Sequence, residues 1–286
     1  MSRGWTLAAS TLGAVEESLE DVAAICARHG ASAVELRTAS DAPVHVDLSA
    51  AQRREVRAIF DGAGIGILTV ASRVRIASDD GETLTSLRAH LDLAADLGAR
   101  YVRVFPGAPA APAAPDELPT LDDRDQADAT AVERLVDAAD QAADRDLGIL
   151  VETHDSHPRG ADVARILDRV GDHAAVGAIW DLLHPWRVGE QLEATARHLM
   201  PYLLDERGYV QIKDVPSRQN TFPVLQGAGQ IPLDAALALL SDSGYSGPLA
   251  LEWERHWQRD AAPLEDAVAA AVSALAQAPS TSHPRR

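Results

Sequence analysis

Eight short apolar runs recur along the chain, each followed by a longer stretch with helical spacing, and this alternation restricts the fold more than any other feature. The runs are TLAAS at 6–10, AVELR at 33–37, GILTVAS at 66–72, YVRVFP at 101–106, GILVETH at 148–154, VGAIWD at 176–181, YVQIKDV at 209–215 and PLALEWE at 248–254. Their branched and aromatic content, with a Gly or small turn residue before most of them, reads as strand. The intervening stretches near 15–29, 50–63, 82–97, 128–146, 161–170, 189–199, 232–243 and 264–277 carry the apolar spacing of helices. Gly30, Gly64, Gly98 and Gly244 stand where helix C-caps are expected. Eight strand and helix pairs in roughly 280 residues are the arithmetic of an α/β (β/α)8 TIM barrel in a single domain. A doubly wound sheet is the alternative, but TLAASTLGA after the first strand lacks the GxGxxG phosphate loop.

Two segments break the pattern. A Pro/Ala-rich stretch at 106–123 follows the fourth strand and would lie at the C-terminal face, where a long loop either covers a site or is inert surface. Residues 278–286 read as a disordered tail, which leaves 1–277 for the barrel. The net charge of −17 disfavours nucleic acid, because phosphate binding needs a basic field. Cys26 is the only cysteine, so neither an internal disulfide nor a cysteine zinc cluster can form. No signal-peptide run and no membrane-length apolar stretch is present, so a cytoplasmic location is expected.

Polar residues at strand ends point to the chemistry. Glu152, Asp181, Gln211 and Glu252 fall on the fifth to eighth strands at matching heights, and consecutive barrel strands are neighbours. Three carboxylates that close repel one another unless a cation compensates. A divalent metal held by these four side chains is the expectation, Mn2+ or Mg2+ rather than zinc because the donors are oxygens.

LVETHDSHPRGADVARIL, AIWDLLHPWRVGE, YVQIKDV, LQGAGQIPL and LALEWERHW together resemble the sugar phosphate isomerase/epimerase group of xylose isomerase-like barrels, over most of residues 145–260. The resemblance implies that Glu152, Asp181 and Glu252 are metal-binding carboxylates and that Glu152 and Glu252 also take and return a substrate proton. It implies an isomerase or epimerase of a ketose or keto-polyol, working through an enediolate that a divalent cation, Mn2+ first, stabilises. The group usually has His in an H-x-K-D pattern where this chain has Gln211, a neutral and weaker ligand. Abasic-site endonucleases of the same superfamily draw several histidines from early strands, and the first four strands here contain none.

Around that centre, His154 lies two residues past Glu152 and His184 three past Asp181, where each could meet a substrate oxygen. Lys213 could neutralise an oxyanion or pair with a carboxylate. Trp180 and Trp253 alternate away from the barrel interior, whereas Trp186 and Trp257 are placed to stack on a sugar. Arg218 is a further candidate for substrate contact, and His157 a looser one. Gly227 and Gly229 could approach a phosphate or simply form a tight turn. The expected partner is a small sugar or polyol, with no nucleic acid or membrane, and homo-oligomerisation stays open. A lyase or dehydratase acting on a keto-sugar or sugar glycoside could use the same metal site, and a non-catalytic carbohydrate-binding subunit is the third reading.

Overall fold

The structure, a computed structural model, describes residues 5–111 and 113–277, so the segment 278–286 lies outside the described residues. Eight parallel strands close a barrel: β1 Leu7–Ser10, β2 Ala33–Arg37, β3 Gly66–Arg75, β4 Tyr101–Phe105, β5 Gly148–Glu152, β6 Val176–Asp181, β7 Tyr209–Ile212 and β8 Leu249–Leu251. Each strand pairs with its neighbours in chain order, and β8 closes onto β1 through the Leu7 and Leu249 register. The fold is the (β/α)8 TIM barrel that the alternation predicts.

Helices follow the strands, and their ends show why the sequence places them there. Helix α1, Leu19–His29, and α2, Ala50–Ala63, start at capping boxes (Ser18 with Asp21, Ser49 with Gln52), and both stop at a left-handed glycine, Gly30 and Gly64. The helix predicted from 128 begins earlier, at Arg124, because the Asp123 carboxylate accepts the Gln126 N–H and caps it. The helix predicted at 189–199 is Leu192–Leu199, and a short helix that was not predicted, Leu183–Arg187, precedes it, the two parted at Gly189, whose φ is +78°. The seventh and eighth strands end sooner than predicted, at Ile212 and Leu251, as the chain turns out of the barrel.

Side-chain alternation sorts the barrel into tiers. A closed apolar plug takes one residue from every strand: Ala8, Ala33, Leu68, Tyr101, Leu150, Ile179, Tyr209 and Ala250. The two tyrosine rings, 5.9 Å apart, fill the space left by alanines on β1, β2 and β8. Outward-facing residues pack the sheet against the helices, among them Trp180 and Trp253, both fully buried as alternation requires. Two residues beyond the plug, period two brings Ser10, Glu35, Arg103, Glu152, Asp181, Gln211 and Glu252 to the interior on seven strands. On β3 a register shift instead sets Thr69 opposite Glu35.

Candidate active site and metal centre

The polar tier crosses the mouth just above the plug, so its side chains are almost completely out of solvent yet directed to the open end. Glu35, Glu152, Asp181 and Glu252 supply four buried carboxylates, and Arg103 and Lys213 supply two buried cations. The Arg103 guanidinium lies 3.0 Å from Glu152 and 3.5 Å from Glu252. The Lys213 ammonium pairs with Glu252, and it stands 2.8 Å from Asp181 and 3.2 Å from Glu254. Glu35 accepts hydrogen bonds from Tyr209 Oη and, at 3.0 Å, from Gln211 Nε2.

This arrangement leaves a formal excess of two negative charges, and several oxygens have no donor. Glu152 Oε1 and Gln211 Oε1 are buried without a hydrogen bond, and Asp181 Oδ2 has the Lys213 ion pair but no directed hydrogen bond. Because Glu35 takes the Gln211 amide nitrogen, the carbonyl oxygen is the free end. Oxygens of Glu152, Asp181 and Glu252 lie within 4.8 Å of one another. Buried acceptors in excess of donors, clustered at that separation, fit a divalent cation. The donor set also reaches further than oxygen alone, because Glu152, His154 and His184 form a second group within the same distance and Nδ1 of His154 and Nε2 of His184 lack hydrogen bonds. With imidazole nitrogens at hand, the oxygen-only argument for Mn2+ or Mg2+ over zinc no longer holds by itself.

Electrostatics separate the two glutamates. Burial raises the Glu152 pKa, and Glu252 and Asp181 raise it further, outweighing the downward pull of Arg103. Burial opposes ionisation of Glu252 as well, but Lys213 and Arg103 together bring it well below the ordinary value. Asp181 is raised, by burial first and by Glu252, despite Lys213. Burial and the nearby cationic groups hold His184 well below its usual pKa, so its imidazole is neutral at pH 7.

The chain's sequence matches the family model described as xylose isomerase-like TIM barrel over residues 23–278. The chain belongs to that family. No curated protein matches its sequence. Among solved structures, this xylose isomerase-like barrel is similar to an IolI protein with a bound zinc atom, at 19% identity and TM-score 0.74, covering 96% of this chain and 100% of that one. It is similar to a D-allulose 3-epimerase from Methylomonas sp. in complex with D-allulose, at 17% identity and TM-score 0.72, covering 97% and 98%. A third similar structure is the probable 3-DHS dehydratase AsbF from Bacillus anthracis, at 16% identity and TM-score 0.68, covering 92% and 97%. At these identities the likeness is one of fold.

In this xylose isomerase-like barrel, Glu152, Asp181, Gln211, Glu252, His154, His184 and Lys213 come together at the mouth. His154 stacks between Phe105 and His184, with ring centroids 4.2 and 4.3 Å away. The Lys213 ammonium is engaged by three carboxylates, the pairing that was one of the two roles considered for it. Trp257 lines the mouth cavity, about half exposed. Trp186 and Arg218 stack on each other at 5.3 Å and line neither the mouth cavity nor its neighbour. The loop at 106–123 does flank the site: it walls a cavity of about 760 Å³ together with His154 and His184. It leaves β4 through Gly107, at φ +62°, where a Cβ would stand 2.4 Å from Arg75 carbons. Among the described residues, no helix is long and apolar enough to cross a membrane.

Glu35 and Arg103 are the residues that strand-end reading missed. Each is a charged residue inside an apolar run (AVELR, YVRVF), which in a strand buried on both faces is itself a signal. His157 goes the other way. It is fully buried, its Nε2 2.9 Å from Asp128 and its Nδ1 2.9 Å from Ser156 Oγ, while Arg165 holds the other Asp128 oxygen at 2.5 Å. It ties the helix Arg124–Ala143 to the loop after β5 and stays out of the mouth.

Burial works against Asp128, but the His157 and Arg165 hydrogen bonds lower its pKa to about 2. A depressed carboxylate stabilises the fold above its unfolded value, near 3.8, and the gain fades as pH falls toward 2. Asp128→Asn is therefore expected to cost about 3 kcal/mol at pH 7 in urea unfolding and to flatten the acid limb between those values. A variant as stable as the parent at pH 7 would exclude this role.

Proposed function

We propose that this barrel is a divalent-metal-dependent isomerase or epimerase of a ketose or keto-polyol, with Mn2+ the first ion to test. The observation that carries the reading is the excess of buried carboxylates, with unpartnered oxygens on Glu152 and Gln211, one pleat above a dry plug. A divalent cation held by Glu152, Asp181, Gln211 and Glu252 would polarise a substrate carbonyl and stabilise the negative charge that develops when the neighbouring C–H is lost.

The protein's own groups then divide the proton transfer. Glu252, paired with Lys213 and Arg103, would accept the C–H proton, and Glu152, across the Arg103 guanidinium from it, would return one to the same or the adjacent carbon. Arg103, between them, holds both carboxylates toward the cavity. Neutral His184 accepts or donates one hydrogen bond to a substrate hydroxyl without adding charge. Phe105, over which Arg103 lies at 4.2 Å, and the His154 ring give an apolar wall for the C–H face of a sugar.

Incubation of candidate ketoses with the protein and Mn2+ in D2O should put deuterium on the carbon beside the carbonyl, with the carbon skeleton and all hydroxyls retained, and chelation of the metal should stop it. Loss of a hydroxyl or glycosidic leaving group would instead identify a lyase. No exchange with any substrate from metal-loaded protein would leave the carbohydrate-binding reading.

A further inference from the structure

The mouth is not evenly charged. On the side of β5 to β8 lie three of the four buried carboxylates and Lys213; on the side of β2 and β3 the fourth, Glu35, is held by Tyr209 and Gln211, and the rim presents Arg37 and Arg73. Both arginines line the mouth cavity of about 220 Å³ together with Arg103, Trp257 and the glutamates Glu35, Glu252 and Glu254, of which Glu252 and Glu254 are paired with Lys213. Their guanidinium carbons stand 5.6 and 5.8 Å from the Trp257 ring centroid. Contact of this kind steadies the guanidinium through its face and leaves its in-plane N–H groups for an acceptor.

One Arg37 nitrogen is engaged by Asp41 at 2.7 Å, and Arg73 pairs with no acidic side chain among the described residues. Their positive field reaches the neighbouring His256, whose pKa is lowered by burial first, then by Arg37, and by Arg259 and Arg73 more weakly, against the upward pull of Asp41 at 3.6 Å. In a chain of net charge −17, an arginine left without an acid at the cavity rim is a site for an anion from outside.

We propose that the substrate carries a carboxylate, bound by Arg73 and Arg37 at the β2 and β3 side of the mouth, so that it is a sugar acid or keto-polyol acid and not a neutral ketose. This rests on the proposed proton-transfer reading and adds the substrate class to it. The carboxylate sits across the barrel from β6 and β7, which places the reacting carbonyl a few carbons away near Glu152 and Glu252. Phosphate recognition has no comparable place in the loop after β7. The Gly227 and Gly229 N–H groups, which sequence offers for it, both donate to the Asp214 carboxylate at 2.9 Å.

The test is calorimetric binding to the full chain of a panel of sugar acids, including gluconate and glucuronate, against glucose, fructose and inorganic phosphate. At least one sugar acid is expected to bind tenfold or more tighter than its neutral counterpart, and Arg73→Gln should remove that preference while leaving neutral sugars unchanged. Arg73 is exposed, so the variant keeps the fold. Equal affinity for acid and neutral sugars, an acid preference that survives Arg73→Gln, or phosphate binding tighter than every acid would overturn the carboxylate subsite. Deuterium exchange in neutral ketoses without acid preference overturns the subsite alone. Acid-selective binding with no exchange in any compound supports the subsite and removes the proton-transfer reading.

Discussion

Replacing Glu252 with glutamine is expected to lower the rate of deuterium exchange into substrate by about a hundred- to ten-thousandfold, the range in which a positioned general base contributes. Glu252 is the carboxylate that its surroundings keep charged, with Lys213 and Arg103 both acting on it, and an amide cannot accept the proton. The fold should survive, because Lys213 keeps Asp181 and Glu254 as partners and Arg103 keeps Glu152. The same substitution removes a proposed metal ligand, so bound Mn2+ has to be measured alongside. A rate loss that persists at saturating Mn2+ assigns the proton to Glu252. Exchange near the parent rate under those conditions would take that role away, and Glu152→Gln would then be the variant in which to look for it.

The barrel itself was legible because its alternation is physical bookkeeping repeated eight times: a buried parallel strand must be apolar on both faces, and each helix shows a capped, periodic stretch. The residues of β5 to β8 at the mouth could be read because they end their strands and sit next to one another in the barrel. Glu35 and Arg103 could not be placed by that rule, since they lie in the middle of β2 and β4. What fixes them is the plug: Ala33 and Tyr101 face inward, so the residue two further on must do so too. Which residues form the plug depends on barrel stagger, and the register shift on β3 shows that stagger cannot be counted along one strand. Nor could the sequence tell an engaged cation from a free one. Lys213 is buried below the mouth and Arg73 is exposed on its rim; only the packed structure gives the first three carboxylates and, among the described residues, the second none.

The largest stability effect is expected at Asp214, next to Lys213 in the YVQIKDV run. Its buried carboxylate accepts backbone N–H groups of Val215, Gly227, Gly229 and Ile231, at 2.9 to 3.1 Å. One side chain thereby gathers the loop after β7 and turns the chain out of the barrel, which is why the strand stops at Ile212. Gly229 allows that closeness, since a Cβ there would stand 2.2 Å from the Asp214 carboxylate. Asp214→Ala leaves four donors to find water or remain unpaired, and the expected loss is about 3 kcal/mol or more in urea unfolding. Asp214→Asn should cost less, because one oxygen still accepts. Gly229→Ala strains the same contact from the other side, so the two single changes should cost less in combination than their sum. Full additivity would mean that the cost at Gly229 comes from the Val215 carbonyl oxygen, 2.4 Å from the same Cβ, and not from the Asp214 carboxylate.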